Sequence, residues 1–140
     1  MRVLFDTNIV LDVLLARAPH AAAAAQLFDL VERGAFEGYV GATTVTTIHY
    51  LATKAVGRAR AKRHLRELLT LFEVAPVDSE VLRQAMELDV ADYEDAVLHE
   101  AARAADVSAI VTRDRRGFAR ASLPVMTPLE FLASLRAAES

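Results

Sequence analysis

Short apolar runs alternate along this chain with longer stretches of helical periodicity. Residues 3–5 are apolar throughout and read as a short buried strand. Apolar residues then fall at Val10, Leu11, Leu14 and Leu15, the spacing of one helix face, which predicts a helix over 9–16. Pro19 suits a first helical turn, so a second helix is expected through the alanine run 21–25 to about residue 33, with Gly34 ending it. Residues 36–40 read as a second strand, and 43–55 as a helix rich in β-branched residues. Gly57 interrupts the pattern. The next helix runs over 58–71, with Leu65, Leu68, Leu69 and Phe72 expected inward. A third strand is expected over 72–77. Asp78 can cap a helix over 79–88, and Asp92 a helix over 93–105. Residues 109–112 and 123–126 read as the last two strands. Thr127-Pro128-Leu129-Glu130 is a capping box with proline at the first helical position, opening a final helix to about residue 138. This alternation predicts one α/β domain over 1–140, a three-layer sandwich with a mostly parallel sheet of about five short strands between helices.

Composition narrows the chemistry. A chain of 140 residues suits one core, and its charged fraction of 25% is ordinary for a globular protein. The absence of cysteine excludes disulfides, thiolate metal sites and a cysteine nucleophile. Charged or polar residues interrupt every apolar run before it could span a bilayer. Met1-Arg2 leads straight into a strand and leaves no room for a signal peptide, so a cytoplasmic protein without a membrane partner is expected. The net charge of −3 is unremarkable, but its distribution is not. Residues 54–66 hold six basic side chains and no acid, and Arg113, Arg115, Arg116 and Arg120 form a second basic group. Carboxylates concentrate over 78–95. An acidic pocket flanked by basic surface can hold a phosphodiester, with cations on the backbone and a metal on the reacting phosphate. The plainer reading of 58–66 is one solvated helix face.

Three segments place acids where chemistry is expected. Asp6 follows the first strand, with Asn8 two residues on; Asp114 follows the fourth, after Thr112 and Arg113. In an open parallel sheet, groups just past the carboxyl ends of strands line the ligand crevice. Asp92 and Asp95 stand three apart at a helix start and share a face, while Glu94 between them is expected in solvent. Taken singly, Asp6 and Asp92 could be helix caps and Asp114 a turn residue. Together they would repel one another without a cation between them, and hard oxygen donors suit Mg²⁺ or Mn²⁺. The four histidines have no ligand spacing, and neither a Gly-x-Gly phosphate loop nor a Gly-x-Ser-x-Gly elbow occurs. An aspartyl phosphotransfer site at Asp6 would want a lysine near a later strand end, but the only lysines are Lys54 and Lys62.

Phe5-Asp6-Thr7-Asn8, Asp92-Tyr93-Glu94-Asp95-Ala96-Val97, Ile110-Val111-Thr112-Arg113-Asp114 with Phe118, and the ending from Pro124 to Leu132 together resemble the PIN domain family. That is the metal-dependent ribonuclease fold of many bacterial toxin–antitoxin toxins. The resemblance covers essentially the whole chain. It implies Asp6, Asp95 and Asp114 as ligands of Mg²⁺ or Mn²⁺; in a ribonuclease built on them, Asn8 and Thr112 are expected to orient water or a carboxylate, and Arg113, Arg115 or Arg116 to hold the RNA backbone. It further implies a homodimer and an antitoxin partner. The family's remaining acid is usually a glutamate in the helix after the second strand, where this chain has Thr47. Asp92 is expected to complete the cluster in its place. The alternative is a module with a weakened metal site that binds RNA or a protein.

Overall fold

The computed structural model describes residues 1–118 and 121–139. Five strands, β1 (Arg2–Phe5), β2 (Glu37–Gly41), β3 (Glu73–Ala75), β4 (Ala109–Val111) and β5 (Val125–Met126), form one parallel sheet in the order β3-β2-β1-β4-β5. Helices α1 (Thr7–Leu14), α2 (Ala21–Glu32), α3 (Ala42–Val56), α4 (Arg58–Leu71), α5 (Ser79–Met86), α6 (Tyr93–Ala104) and α7 (Pro128–Glu139) connect and cover it, with a short 3-10 helix at Arg115–Phe118. The chain winds outward from β1 to β3, then returns past β1 to lay β4 on its other side. The two central strands therefore flank a topological switch point, the crevice where ligands of open α/β sheets sit.

Successive side chains of a strand point to opposite faces. Val3 and Phe5 of β1 and Val111 of β4 enter a core with Leu27, Ile48, Leu68 and Phe131. Leu4 and Ile110 enter a second core with Ala96, Val97, Leu98 and Ala101 of α6 and Val81 of α5. That is the three-layer sandwich expected from the sequence. The first core is built around aromatic rings: Phe72 lies 5.2 Å from Phe5 and 4.9 Å from Phe28, and Phe36 lies 5.2 Å from Phe131. Gly38 makes room for this, since a Cβ there would stand 2.6 Å from Phe72 Cε1. The alanines of α6 let that helix lie close on the opposite face.

Helix ends follow their caps. Asp78 accepts from Val81 N at 2.9 Å, and Thr127 and Glu130 exchange the two bonds of a capping box. Gly34 and Gly57 take positive φ, +79° and +88°, where the chain leaves α2 and α3. Some sequence expectations shift. α2 begins at Ala21, with Pro19 in the preceding turn, and β3 and β5 are shorter than their apolar runs. Leu69 was expected inward but is 47% exposed, because α4 buries only Ala61 and Leu68 fully. Arg120, counted in the second basic group, lies outside the described residues. No described helix is long and apolar enough to cross a membrane.

Candidate functional site

Phe5 pairs with Val111, so Asp6 and Thr112 are the next residues of adjacent parallel strands. Both fall on the face of Leu4 and Ile110, toward α6. Asp6 N–H donates to Val111 O at 2.9 Å, which holds the two strand ends together. The Thr112 hydroxyl donates to Asp6 Oδ2 at 2.8 Å and accepts from Asp114 N at 3.2 Å. One side chain thus ties the first acid to the turn that carries the third. Asn8 reaches the same centre: its Nδ2 lies 3.5 Å from Asp6 Oδ2 and 3.4 Å from Thr112 Oγ1, and its Oδ1 accepts from Arg113 N at 3.4 Å. Asp6 Oδ1 accepts from Thr7 N at 2.7 Å, so Asp6 is both a helix cap and a site carboxylate.

α6 brings its acids to this point from the second layer. Asp92 caps the helix, its Oδ1 accepting from Glu94 N and Asp95 N. Asp95 sits on the inner side of the first turn, against the 3-10 helix. A Cβ at Gly117 would overlap Asp95 Oδ2, so any other residue there would make that carboxylate shift. Asp114 lies on the exposed rim, where its Oδ1 accepts from Arg116 N at 3.1 Å and Nε at 3.3 Å.

The electrostatics join these residues into one group. The Asp95 carboxyl is raised to about 7, first by burial and then by repulsion from Asp6, Asp92, Glu94 and Asp114. Asp6 is also raised, first by burial and then by Asp92 and Asp114, against the lowering effect of its bonds from Thr112 and Thr7. Glu94 was expected in solvent. It is exposed, but its carboxyl is raised by partial burial and by the charges of Asp92 and Asp6, so it belongs to the rim of the cluster. The chemistry and charge of this donor set fit a divalent cation. Its geometry is not a closed coordination shell: among the described residues, no three acids or histidines gather closely enough to hold one ion.

The fourth wall is α3. Thr44 is fully buried in its first turn, and its hydroxyl meets that of Thr7 at 2.9 Å. Thr47, half-buried one turn on, adds no charge. The sequence analysis missed Asp12. This carboxylate is fully buried in α1, with Oδ1 2.9 Å from Arg17 Nε and Oδ2 2.7 Å from Arg113 Nε. Arg113 is therefore held inward at that nitrogen. Arg115 and Arg116 are more exposed and pair with Glu130 and Asp114. An acid one helical turn after Asn8 was a visible signal, but its partners lie 5 and 101 residues away. His99, one turn after Asp95, is buried; its Nε2 accepts from Ser122 N at 3.0 Å and its Nδ1 lies 3.4 Å from Glu100 Oε2.

Known proteins with the same architecture are found by sequence and by structure. Ribonuclease VapC1 of Aquifex aeolicus (strain VF5) is 22% identical over 135 residues, covering 93% of this chain and 92% of that protein. The DNA-bound VapBC structure from Salmonella typhimurium superposes with a TM-score of 0.71 at 17% identity, over 91% of this chain and 98% of that one. VapC20 of Mycobacterium tuberculosis, a toxin that cleaves the sarcin–ricin loop, superposes with a TM-score of 0.68 at 15% identity, over 84% of this chain and 94% of that one. At these identities the structural likenesses establish the fold. The model of the PIN domain family matches residues 2–116, all of the sheet except β5 and every acid of the cluster, and the chain belongs to that family.

Proposed function

We propose that this protein is a metal-dependent endoribonuclease acting on single-stranded or structured RNA, as the toxin of a toxin–antitoxin pair. One observation carries the reading. Asp6 just past β1, Asp95 in the first turn of α6 and Asp114 in the turn after β4 lie around the switch point of the sheet, where burial first and neighbouring carboxylates second raise Asp6 and bring Asp95 to about 7. Partly buried carboxylates set beside one another favour a cation between them. Asp6, Asp95 and Asp114 would hold Mg²⁺ or Mn²⁺, with Asp92 as the fourth acid. When bound, the ion would activate a water and stabilise the charge building on the scissile phosphate. Thr112 and Asn8 fix the orientation of Asp6, and Gly117 lets the 3-10 helix close over Asp95. Arg115 and Arg116 stand at the rim, where a phosphate could displace their surface ion pairs; Arg113 serves chiefly to anchor its turn. Asp6→Asn and Asp114→Asn should each abolish cleavage with the fold intact, and unchanged cleavage in either variant would overturn the assignment.

Two observations favour a second reading, a module that binds RNA or a protein partner without cutting. No three acids gather to ligating distance among the described residues, and α3 offers Thr47 in place of an acid. This reading predicts no cleavage and no saturable Mn²⁺ binding by the folded protein. An antitoxin partner and a homodimer are proposed on the same family ground. The similar structures include a toxin–antitoxin complex from Klebsiella pneumoniae, which supports the first of these.

A further inference from the structure

α3 and α4 pack chiefly on each other and form an antiparallel hairpin that turns at Gly57. Its buried seam is small and apolar: Ile48, Ala52, Ala61 and Leu68. Its outside is the most basic part of the molecule, with Lys54, Arg58, Arg60, Lys62, Arg63 and Arg66 all exposed and no acid among residues 54–66. None of these six has an ion pair among the described residues. Elsewhere arginines are engaged by acids, from Arg2 with Glu37 to Arg116 with Asp114.

The arrangement costs the helix stability. Arg58, Lys62 and Arg66 follow one another at four-residue spacing, and like charges so placed are destabilising. Arg58 and Arg60 also occupy the first turn of α4, where the helix dipole disfavours cations, and no acid offsets them there. A solvated face would gain from interspersed glutamates, as α5 shows with Glu80 beside Arg83 and Gln84. Unpaired cations gathered at one tip, in a protein of net charge −3, call for a polyanion from outside. Two turns back from Gly57, α3 also carries an aromatic surface. Tyr50 is 58% exposed, and Lys54 Nζ lies 4.4 Å from its ring centroid.

We propose that this hairpin tip grips the backbone of a single-stranded RNA, with Lys54, Arg58, Arg60, Lys62 and Arg63 on phosphates and Tyr50 as a stacking surface for a base. The proposal rests on RNA being the ligand of the site described above. α3 joins the two places: its first turn meets Thr7 beside Asp6, and its 15 residues rise about 22 Å to Gly57. A strand held at the tip can therefore run back toward the carboxylates.

The test is binding of a short, mixed-sequence, single-stranded RNA in EDTA, where cleavage plays no part, as a function of salt. Each phosphate contact to a single strand adds about 0.7 to the slope of log K against log salt. Arg58→Gln with Lys62→Gln should flatten the slope by about 1.4 and weaken binding roughly tenfold at moderate salt, with Tm unchanged or slightly higher. Arg33→Gln with Arg83→Gln removes the same charge from the end of α2 and from α5 and should leave the slope unchanged. Tyr50→Ala should weaken binding about tenfold without altering the slope, since stacking releases no counterions. An unchanged slope in the hairpin variant, or an equal change in the control, overturns the proposal. So does a hairpin variant that dissociates a homodimer while RNA binding stays intact, because the surface is then an interface between copies. Absence of cutting alongside the predicted slopes would instead sink the nuclease reading and leave this grip standing.

Discussion

Replacing Asp12 by alanine should destabilise the protein more than any other change at a charged position. The carboxylate is fully buried, and each oxygen holds one arginine, Arg17 at 2.9 Å and Arg113 at 2.7 Å. Removing one partner of a buried ion pair costs about 3–5 kcal/mol, because the other charge is left uncompensated. Here the side chains of Arg17 and Arg113 are 40% and 32% exposed and can turn partly to water, which sets the cost near the low end, about 3 kcal/mol. Unfolding entropy of about 2.1 cal/mol/K per residue gives roughly 0.3 kcal/mol/K for 140 residues, so Tm should fall by about 10 °C. Arg113→Ala leaves Asp12 its second arginine and should cost about half as much. The double variant should be less damaging than the sum, with a coupling of at least about 1 kcal/mol. Scanning calorimetry of the four proteins measures all of this. A fall below about 3 °C for Asp12→Ala, or strict additivity in the cycle, would refute the claim that this triad clamps α1 to the turn after β4. The clamp bears on function as well. Arg113 N–H meets Asn8 Oδ1, Arg17 reaches Asn8 O, and Asp114 is the next residue along. Cleavage should therefore fall in Asp12→Ala even at temperatures where the variant is fully folded.

Other predictions address the cluster itself. The Asp95 carboxyl is raised from 3.8 to about 7, so the fold favours its protonated form; its contribution is fully present below pH 4 and is lost as pH rises through 7. In EDTA, Asp95→Asn should flatten the fall of Tm over that window, and Mn²⁺ added to the parent protein at pH 8 should restore stability; a parallel fall in both proteins would contradict this. Thr112→Val removes the hydroxyl that joins Asp6 to Asp114 N and should cost about 1–3 kcal/mol, with cleavage reduced, as read from thermal melts and RNA turnover. Gly117→Ala would drive Asp95 from its place and should reduce cleavage at least tenfold with little change in far-UV circular dichroism. Thr47→Glu should add little activity if Asp92 already completes the cluster; a large gain would show that it does not.

The strands and most helices were legible because local signals agreed with the fold. Asp78, Asp92 and Thr127 cap the helices their positions suggest, and Gly34 and Gly57 end two others at positive φ. The three acid segments could be read from their places after strands and at a helix start. What no local pattern reveals is how distant segments meet. Nothing local marks Asp12 as buried, because the arginine that holds its Oδ2 is 101 positions away. Leu69 matched the helical period of its neighbours, but the face of α4 that meets the sheet and α3 is narrower than the apolar stripe. Glu94 lies in sequence between two cluster residues, but what raises its carboxyl is partial burial with the charges of Asp92 and Asp6, and Asp6 comes from the far side of the sequence. Gly117 gave no signal at all until Asp95 was found against it.

Cleavage of a mixed-sequence single-stranded RNA, with Mn²⁺, Mg²⁺ or EDTA and with the Asp114→Asn protein alongside, tests the central claim most directly. The account predicts cutting that requires a divalent cation and disappears in the variant, which would make Thr47 no obstacle to catalysis. No cutting by protein shown to be folded and free of inhibitor would contradict it, and would leave a PIN domain that binds RNA or a partner without cleaving.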